Sequence, residues 1–305
     1  MRNFTYSTQA PPPPLAAFVD HFWSLSDAPS HSMERILPTG TSELVINLHE
    51  DEFRIHKTGS SDEKCTRFCG AIVSGAYSRP FVAETRAHAS IVGVHFKPGG
   101  VAAILGVPAH ALANAHAELG ALWGHRAIEL RDRLCAAADP AQRFRILEQA
   151  LLGRLCRSPH IRGEIVLALG RLGAPGVNVG DVARQVQLSH RRFIELFTQH
   201  IGMTPKRYSK VRRFQRAVEL AASDTAPPWA EVALISGYFD QAHLCRDWVE
   251  LSGFSPAEFL GLRSVRVKDN HVALPEPRRS NFSNTAPLAA RNLSANGGPI
   301  ASNQR

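Results

Sequence analysis

Two short runs of this chain carry side chains of the right types and spacing to read the edges of nucleic-acid bases. Ser189, His190, Arg191, Arg192 and Glu195 form the first, and Gln241, His243 and Arg246 the second. Arginine presents a planar fork that pairs bidentately with guanine, glutamine does the same for adenine, and glutamate accepts from cytosine N4. Between them, residues 206–216 hold Lys206, Arg207, Lys210, Arg212, Arg213 and Arg216 and no acid. Phosphate contacts need such charge, so Lys206, Arg207, Lys210 and Arg213 are the expected anchors to a nucleic-acid backbone.

Other chemistries find less support. Cys65-x-x-x-Cys69, with His56 nearby, has the donor types of a zinc or redox pair, but no second ligand pair follows at a convincing distance. His110, His116 and His125 stand apart on helical text, without the paired spacing that metal-binding helices use. Neither a phosphate-binding loop nor a nucleophile elbow occurs, and Lys97-Pro-Gly-Gly100 reads as a turn. The expectation is a chain with no catalytic residues, no cofactor and no metal.

The elements that position the two runs are legible as a repeat. Ala183, Phe193, Phe197, Gly202, Pro205 and Tyr208 correspond to Ala233, Leu244, Trp248, Gly253, Pro256 and Phe259. The offset is 50 at the alanine and 51 at every later pair, as if one residue had been added in a turn. A small residue, a turn, an apolar pair four apart and a glycine stop describe a helix-turn-helix, here twice in tandem. Asn178 and Ser189 are good caps for the two helices of the first copy. On its second helix Phe193, Leu196, Phe197 and Ile201 make one apolar stripe, leaving His190, Arg191, Arg192, Glu195 and Gln199 on the other face. In the second copy Leu244, Trp248 and Leu251 face inward, and Gln241, Ala242, His243, Cys245 and Arg246 are expected to face a major groove. Residues 205–222 should form a rigid connecting helix.

Upstream, short β-branched runs (43–48, 68–74, 81–83 and 89–96) separated by turns predict antiparallel β-structure, followed by helices from 101 to about 157. Asp139-Pro140 should break these helices, and Ser158-Pro159 should be a hinge before a helix over 161–172. After Lys268 the periodic apolar residues stop, so 269–305 is expected to be a disordered tail. The fold class is thus α+β: a mainly β N-terminal domain with trailing helices over 1–157, then an all-α tandem helix-turn-helix domain over 160–264.

A net charge of +8 suits a polyanionic partner, although residues 160–268 hold fifteen Lys/Arg against ten Asp/Glu, so local placement must matter more than overall basicity. Five scattered cysteines, no leading apolar run and no long apolar stretch predict a soluble cytoplasmic protein without a membrane partner.

Residues 160–264 resemble the AraC/XylS class of bacterial transcription regulators. The matching text is Asp181-Val-Ala, Leu188-Ser, Phe193, Phe197 and Gly202-Met-Thr-Pro205, then Ser236-Gly-Tyr-Phe-Asp-Gln241, His243-Leu244, Trp248, Gly253-Phe-Ser-Pro256 and Phe259. The resemblance implies two helix-turn-helix units entering successive major-groove segments of double-stranded promoter DNA. It places base-reading positions at His190, Arg191, Ile194 and Glu195, and at Gln241, Ala242, Cys245 and Arg246. Pro11 to Trp23, Leu37-Pro-x-Gly40 and Gly93 to Gly100 resemble a sensor-like domain found in the same class. By that analogy the N-terminal part is a β-barrel that binds a small-molecule effector or forms a homodimer, and RNA polymerase is a partner if the protein activates. The alternative is a redox- or metal-responsive, or enzyme-like, N-terminal domain fused to a DNA-binding module.

Overall fold

The computed structural model of the protein describes residues 5–26, 33–57, 65–86, 88–155, 161–223, 225–262 and 270–274. The expected hinge at Ser158-Pro159 and residues 275–305 lie outside them.

In chain order the strands are β1 (Thr5–Gln9), β2 (Val19–Ser26), β3 (Met33–Ile36), β4 (Glu43–Asn47), β5 (Glu52–Lys57), β6 (Cys65–Cys69), β7 (Ala71–Ser74), β8 (Phe81–Glu84), β9 (Ser90–Phe96), β10 (His116–Glu118) and β11 (His271–Leu274). They build two antiparallel sheets, ordered β1-β2-β9-β4-β7-β10 and β11-β3-β8-β5-β6. The first sheet carries apolar residues on both faces, in the alternation that a strand's period of two requires. Phe22, Leu44, Ile46, Val92 and Val94 pack against a helical layer, while Trp23, Leu25, Val45 and Ile72 face a cavity shared with the second sheet. That layer comprises α1 (Val101–Leu105), α2 (Leu119–Trp123), α3 (His125–Cys135) and α4 (Pro140–Leu152). Asp139 caps α4 and Pro140 fills its first position, where a missing N–H costs nothing.

Three expectations change. The run 68–74 is not one strand: Gly70 divides it between the two sheets. A Cβ there would lie 2.6 Å from Asp51 Oδ1, so only glycine lets the chain pass this corner. The stretch 101–157 is not wholly helical, because His116–Glu118 adds an edge strand to β7. Nor is 269–305 without structure throughout: His271–Leu274 pairs antiparallel with β3, as the hydrogen-bonding edge of that short strand supplies partners that composition cannot reveal.

The remaining helices are α5 (Gly163–Leu172), α6 (Val179–Gln185), α7 (His190–Ile201), α8 (Pro205–Ala222), α9 (Trp229–Ser236), α10 (Gln241–Ser252) and α11 (Pro256–Gly261). The β-rich part docks directly on them. Leu37 and Ala76 belong to the same buried cluster as Phe193, Phe197, Tyr208 and Phe214. Gln215 Nε2 donates to the carbonyl of Pro38 at 2.7 Å. No helix among the described residues is long and apolar enough to cross a membrane.

Candidate nucleic-acid interface

The repeat is realised at the level of individual hydrogen bonds. Ser189 Oγ accepts from the N–H of Arg192, and Asp240 Oδ1 accepts from the N–H of His243, so α7 and α10 start on equivalent caps. The preceding turns are closed by Leu188 N–H to Ala183 O at 3.1 Å and Tyr238 N–H to Ala233 O at 2.9 Å. Both turns need a residue in the left-handed region: Gln187 at φ 56° in the first, Gly237 at φ 85° in the second. Equivalence therefore holds at an offset of 50 through Tyr238 and 51 from Asp240, which identifies Phe239 as the added residue. Its side chain is 92% exposed, so the insertion disturbs no packing.

Inside, Phe193, Leu196, Phe197 and Ile201 of α7 and Leu244, Trp248 and Leu251 of α10 are all buried. Trp248 has Phe214, Trp229 and Phe259 edge-on with centroids 5.0–5.3 Å away. Ala183 and Ala233 are buried where helices approach closely. Gly202 and Gly253 end the two helices in the left-handed conformation, and Thr204-Pro205 and Ser255-Pro256 cap the next ones.

Outside, His190, Arg191, Arg192 and Glu195 lie exposed together at the start of α7. Arg191 Nε donates to Glu195 at 3.0 Å and Arg192 Nη1 stands 3.6 Å from the same carboxylate. The hydrogen bond from Arg191 holds Glu195 below the usual carboxylate range. Glu195 thus orients two guanidinium groups across one turn. On α10, Gln241, Ala242 and Arg246 are exposed, but His243 and Cys245 are half-buried. His243 lies edge-on to Tyr238 at 5.2 Å and 3.7 Å from Asp247, so it faces the protein more than a groove.

The expected phosphate anchors divide. Lys206 is exposed. Arg207, Lys210 and Arg213, three apart along α8, instead form a stripe against α10. Lys210 Nζ lies 2.7 Å from Asp247 and 2.6 Å from Glu250; Arg207 pairs with Glu250 and donates to Ser78 O; Arg213 is 3.5 Å from Asp247 and packs over Tyr238. These ion pairs tie the connecting helix α8 to Asp247 and Glu250 of α10. An acid pair three apart opposite a cation stripe three apart was the signal for this in the sequence.

His56, Cys65 and Glu84 bring three donor atoms within 4.8 Å of one another, whereas Cys69 is tied at its N–H to Glu118. Glu84 is shared with Arg54 at 3.5 Å, so the cluster already holds a cation beside its carboxylate. Burial raises the Cys65 thiol, and the hydrogen bond to Glu118 raises that of Cys69; both changes disfavour a reactive thiolate.

Two capped helix pairs held on one central helix define a tandem helix-turn-helix unit. Residues 182–261 match the family described as a helix-turn-helix domain, and residues 7–118 match a domain of unknown function. The chain is 30% identical over 138 residues to the arabinose operon regulatory protein of Escherichia coli, covering 42% of this chain and 47% of that one. It is 32% identical over 82 residues to an uncharacterized helix-turn-helix transcriptional regulator of Haemophilus influenzae, 27% of each chain. A solved apo ToxT from Vibrio cholerae aligns over 85% of this chain and 97% of its own at 8% identity, with a TM-score of 0.47. This chain therefore spans less than half the length of the two sequence relatives. It carries a helix-turn-helix domain behind an N-terminal α+β domain.

Proposed function

We propose that the protein is a sequence-specific transcription factor that reads two successive major-groove segments of promoter DNA, one with each recognition helix. The observation that carries this is the pair of α7 and α10, capped alike, packed alike on α8, and exposed at their N-terminal halves. Arg191 and Arg192 are the principal base-reading groups of the first half, steered by Glu195. Gln241 and Arg246 serve the second, with Ser189, His190 and Lys206 toward the backbone. Arg207, Lys210 and Arg213 position α10 rather than touch phosphate. The N-terminal unit modulates binding through a small effector in its inter-sheet cavity, and RNA polymerase is the further partner at promoters where the protein activates.

The test is alanine substitution at Arg191 and at Arg246, one at a time, on a bound DNA site selected by the wild-type protein. Each should weaken binding by roughly 1–3 kcal/mol and relax base preference only within its own segment. Unchanged affinity in both variants would remove the assignment.

A further inference from the structure

The cavity between the sheets, about 80 Å³, is walled chiefly by apolar side chains such as Trp23, Leu25, Ile36, Phe53 and Ile72. Its ionisable lining is two carboxylates, Glu34 and Glu43, and three imidazoles, His88, His116 and His271; no Lys or Arg lines it among the described residues. Each acid has a histidine partner, His271 Nδ1 at 2.8 Å and His95 Nδ1 at 2.7 Å. Burial drops the titration of His116, also in the wall, to about 3, so it is a neutral imidazole there. The Nε2 atoms of His116 and His271 are buried with no hydrogen-bond partner among the described residues. An outer chamber of about 330 Å³ shares Ile55, Phe81 and His116 with the inner one, and Phe68, Tyr77 and Phe81 surround His116 at centroid distances of 4.7–5.7 Å. Arg79 lines only that outer chamber. Carboxylates in an apolar, low-dielectric wall oppose a buried anion and favour a cation, which the aromatic neck also accommodates.

The same wall touches the DNA-binding unit. Glu34 and Ile36 of β3 line the cavity, while Arg35 between them points the other way. Arg35 Nη1 donates to the carbonyls of Ser252 and Gly253 at 3.3 and 3.2 Å, at the C-terminal end of α10, and its guanidinium lies 4.3 Å over the ring of Phe254. The neighbouring strand repeats the arrangement: His271 lines the cavity, and Val272 is fully buried in the helical core.

Resting on the reading of the N-terminal unit as an effector domain, we propose that this cavity takes a small organic cation with an apolar body, and that β3 and β11 pass its occupancy to α10 through Arg35 and Val272. Contacts to the wall shift β3, and the Arg35 cap carries the shift to the second recognition helix. The second DNA segment responds, and the first does not.

Benzylamine, benzyl alcohol and benzoate share one ring and differ in charge, and ligand-observed NMR on the full chain ranks them. Benzylamine should bind at least tenfold tighter than benzoate, with Glu34→Gln removing that preference and Ile36→Trp blocking all three. Saturating benzylamine should change wild-type affinity for the selected DNA site at least threefold; Arg35→Ala should still bind benzylamine but lose the change. Benzoate binding as tightly as the amine, none of the three binding, or an unchanged DNA response would each overturn the inference while specific DNA binding stands. Failure to select any DNA site would instead overturn the reading on which it rests.

Discussion

Replacing Lys210 by methionine removes the ammonium group 2.7 Å from Asp247 and 2.6 Å from Glu250 and keeps the aliphatic stem. The Asp247 side chain is 8% exposed, so water cannot make up for the lost partner. Breaking a buried ion pair from one side costs about 3–5 kcal/mol. Arg213 at 3.5 Å and His243 at 3.7 Å stay beside Asp247 Oδ2, which puts the expected loss near the lower end, about 3 kcal/mol. For a helical unit of this size that lowers Tm by at least about 10 °C, readable by calorimetry or by the urea midpoint. DNA affinity, measured from 50 to 200 mM salt at a temperature where the variant is folded, should keep the wild-type slope. Loss of a true phosphate contact would flatten that slope by about 0.9. A variant that melts like wild type with a flattened slope refutes the internal role and returns Lys210 to the DNA backbone.

Trp248→Ala should cost about 3–5 kcal/mol, because the fully buried ring is shared by three aromatic neighbours; urea titration followed by tryptophan fluorescence of the remaining residues measures it. Gly253→Ala places a Cβ 2.5 Å from Arg35 Nη1 at φ 73°, so it should both strain the turn and displace the cap, weakening recognition of the second DNA segment before the first. Hydrogen bonds from Lys210 and Arg207 hold Glu250 below its ordinary value of 4.5. A depressed carboxylate stabilises the fold fully above that value and loses its contribution as pH falls through the folded value. Stability should therefore drop as pH falls below about 4.5, and drop less in Glu250→Gln, by urea midpoints at each pH.

The helical half was legible because its signals are local. Caps at Ser189, apolar residues at helical spacing and glycine stops at Gly202 and Gly253 each act within a few residues, and the connecting helix expected over 205–222 is α8, Pro205–Ala222. What lay beyond was long-range. The run 68–74 looked continuous because nothing in its composition announces that Gly70 must clear Asp51. His271–Leu274 is a strand only because β3 offers it an edge. The cations of α8 were expected on phosphate because an exposed basic stripe and an internally paired one have the same sequence; their partners Asp247 and Glu250 lie thirty-four to forty-three residues away. Arg35 gave no sign of its role, since its partners are backbone carbonyls more than two hundred residues downstream.

Selection of bound sites from randomised duplex DNA by the full chain, at two salt concentrations, tests the central claim most directly. The account predicts a defined motif of two blocks about one helical turn apart, retained at the higher salt with lower affinity. Binding without sequence enrichment that disappears as salt rises, or a single block unaffected by Arg246→Ala, would contradict tandem reading by α7 and α10.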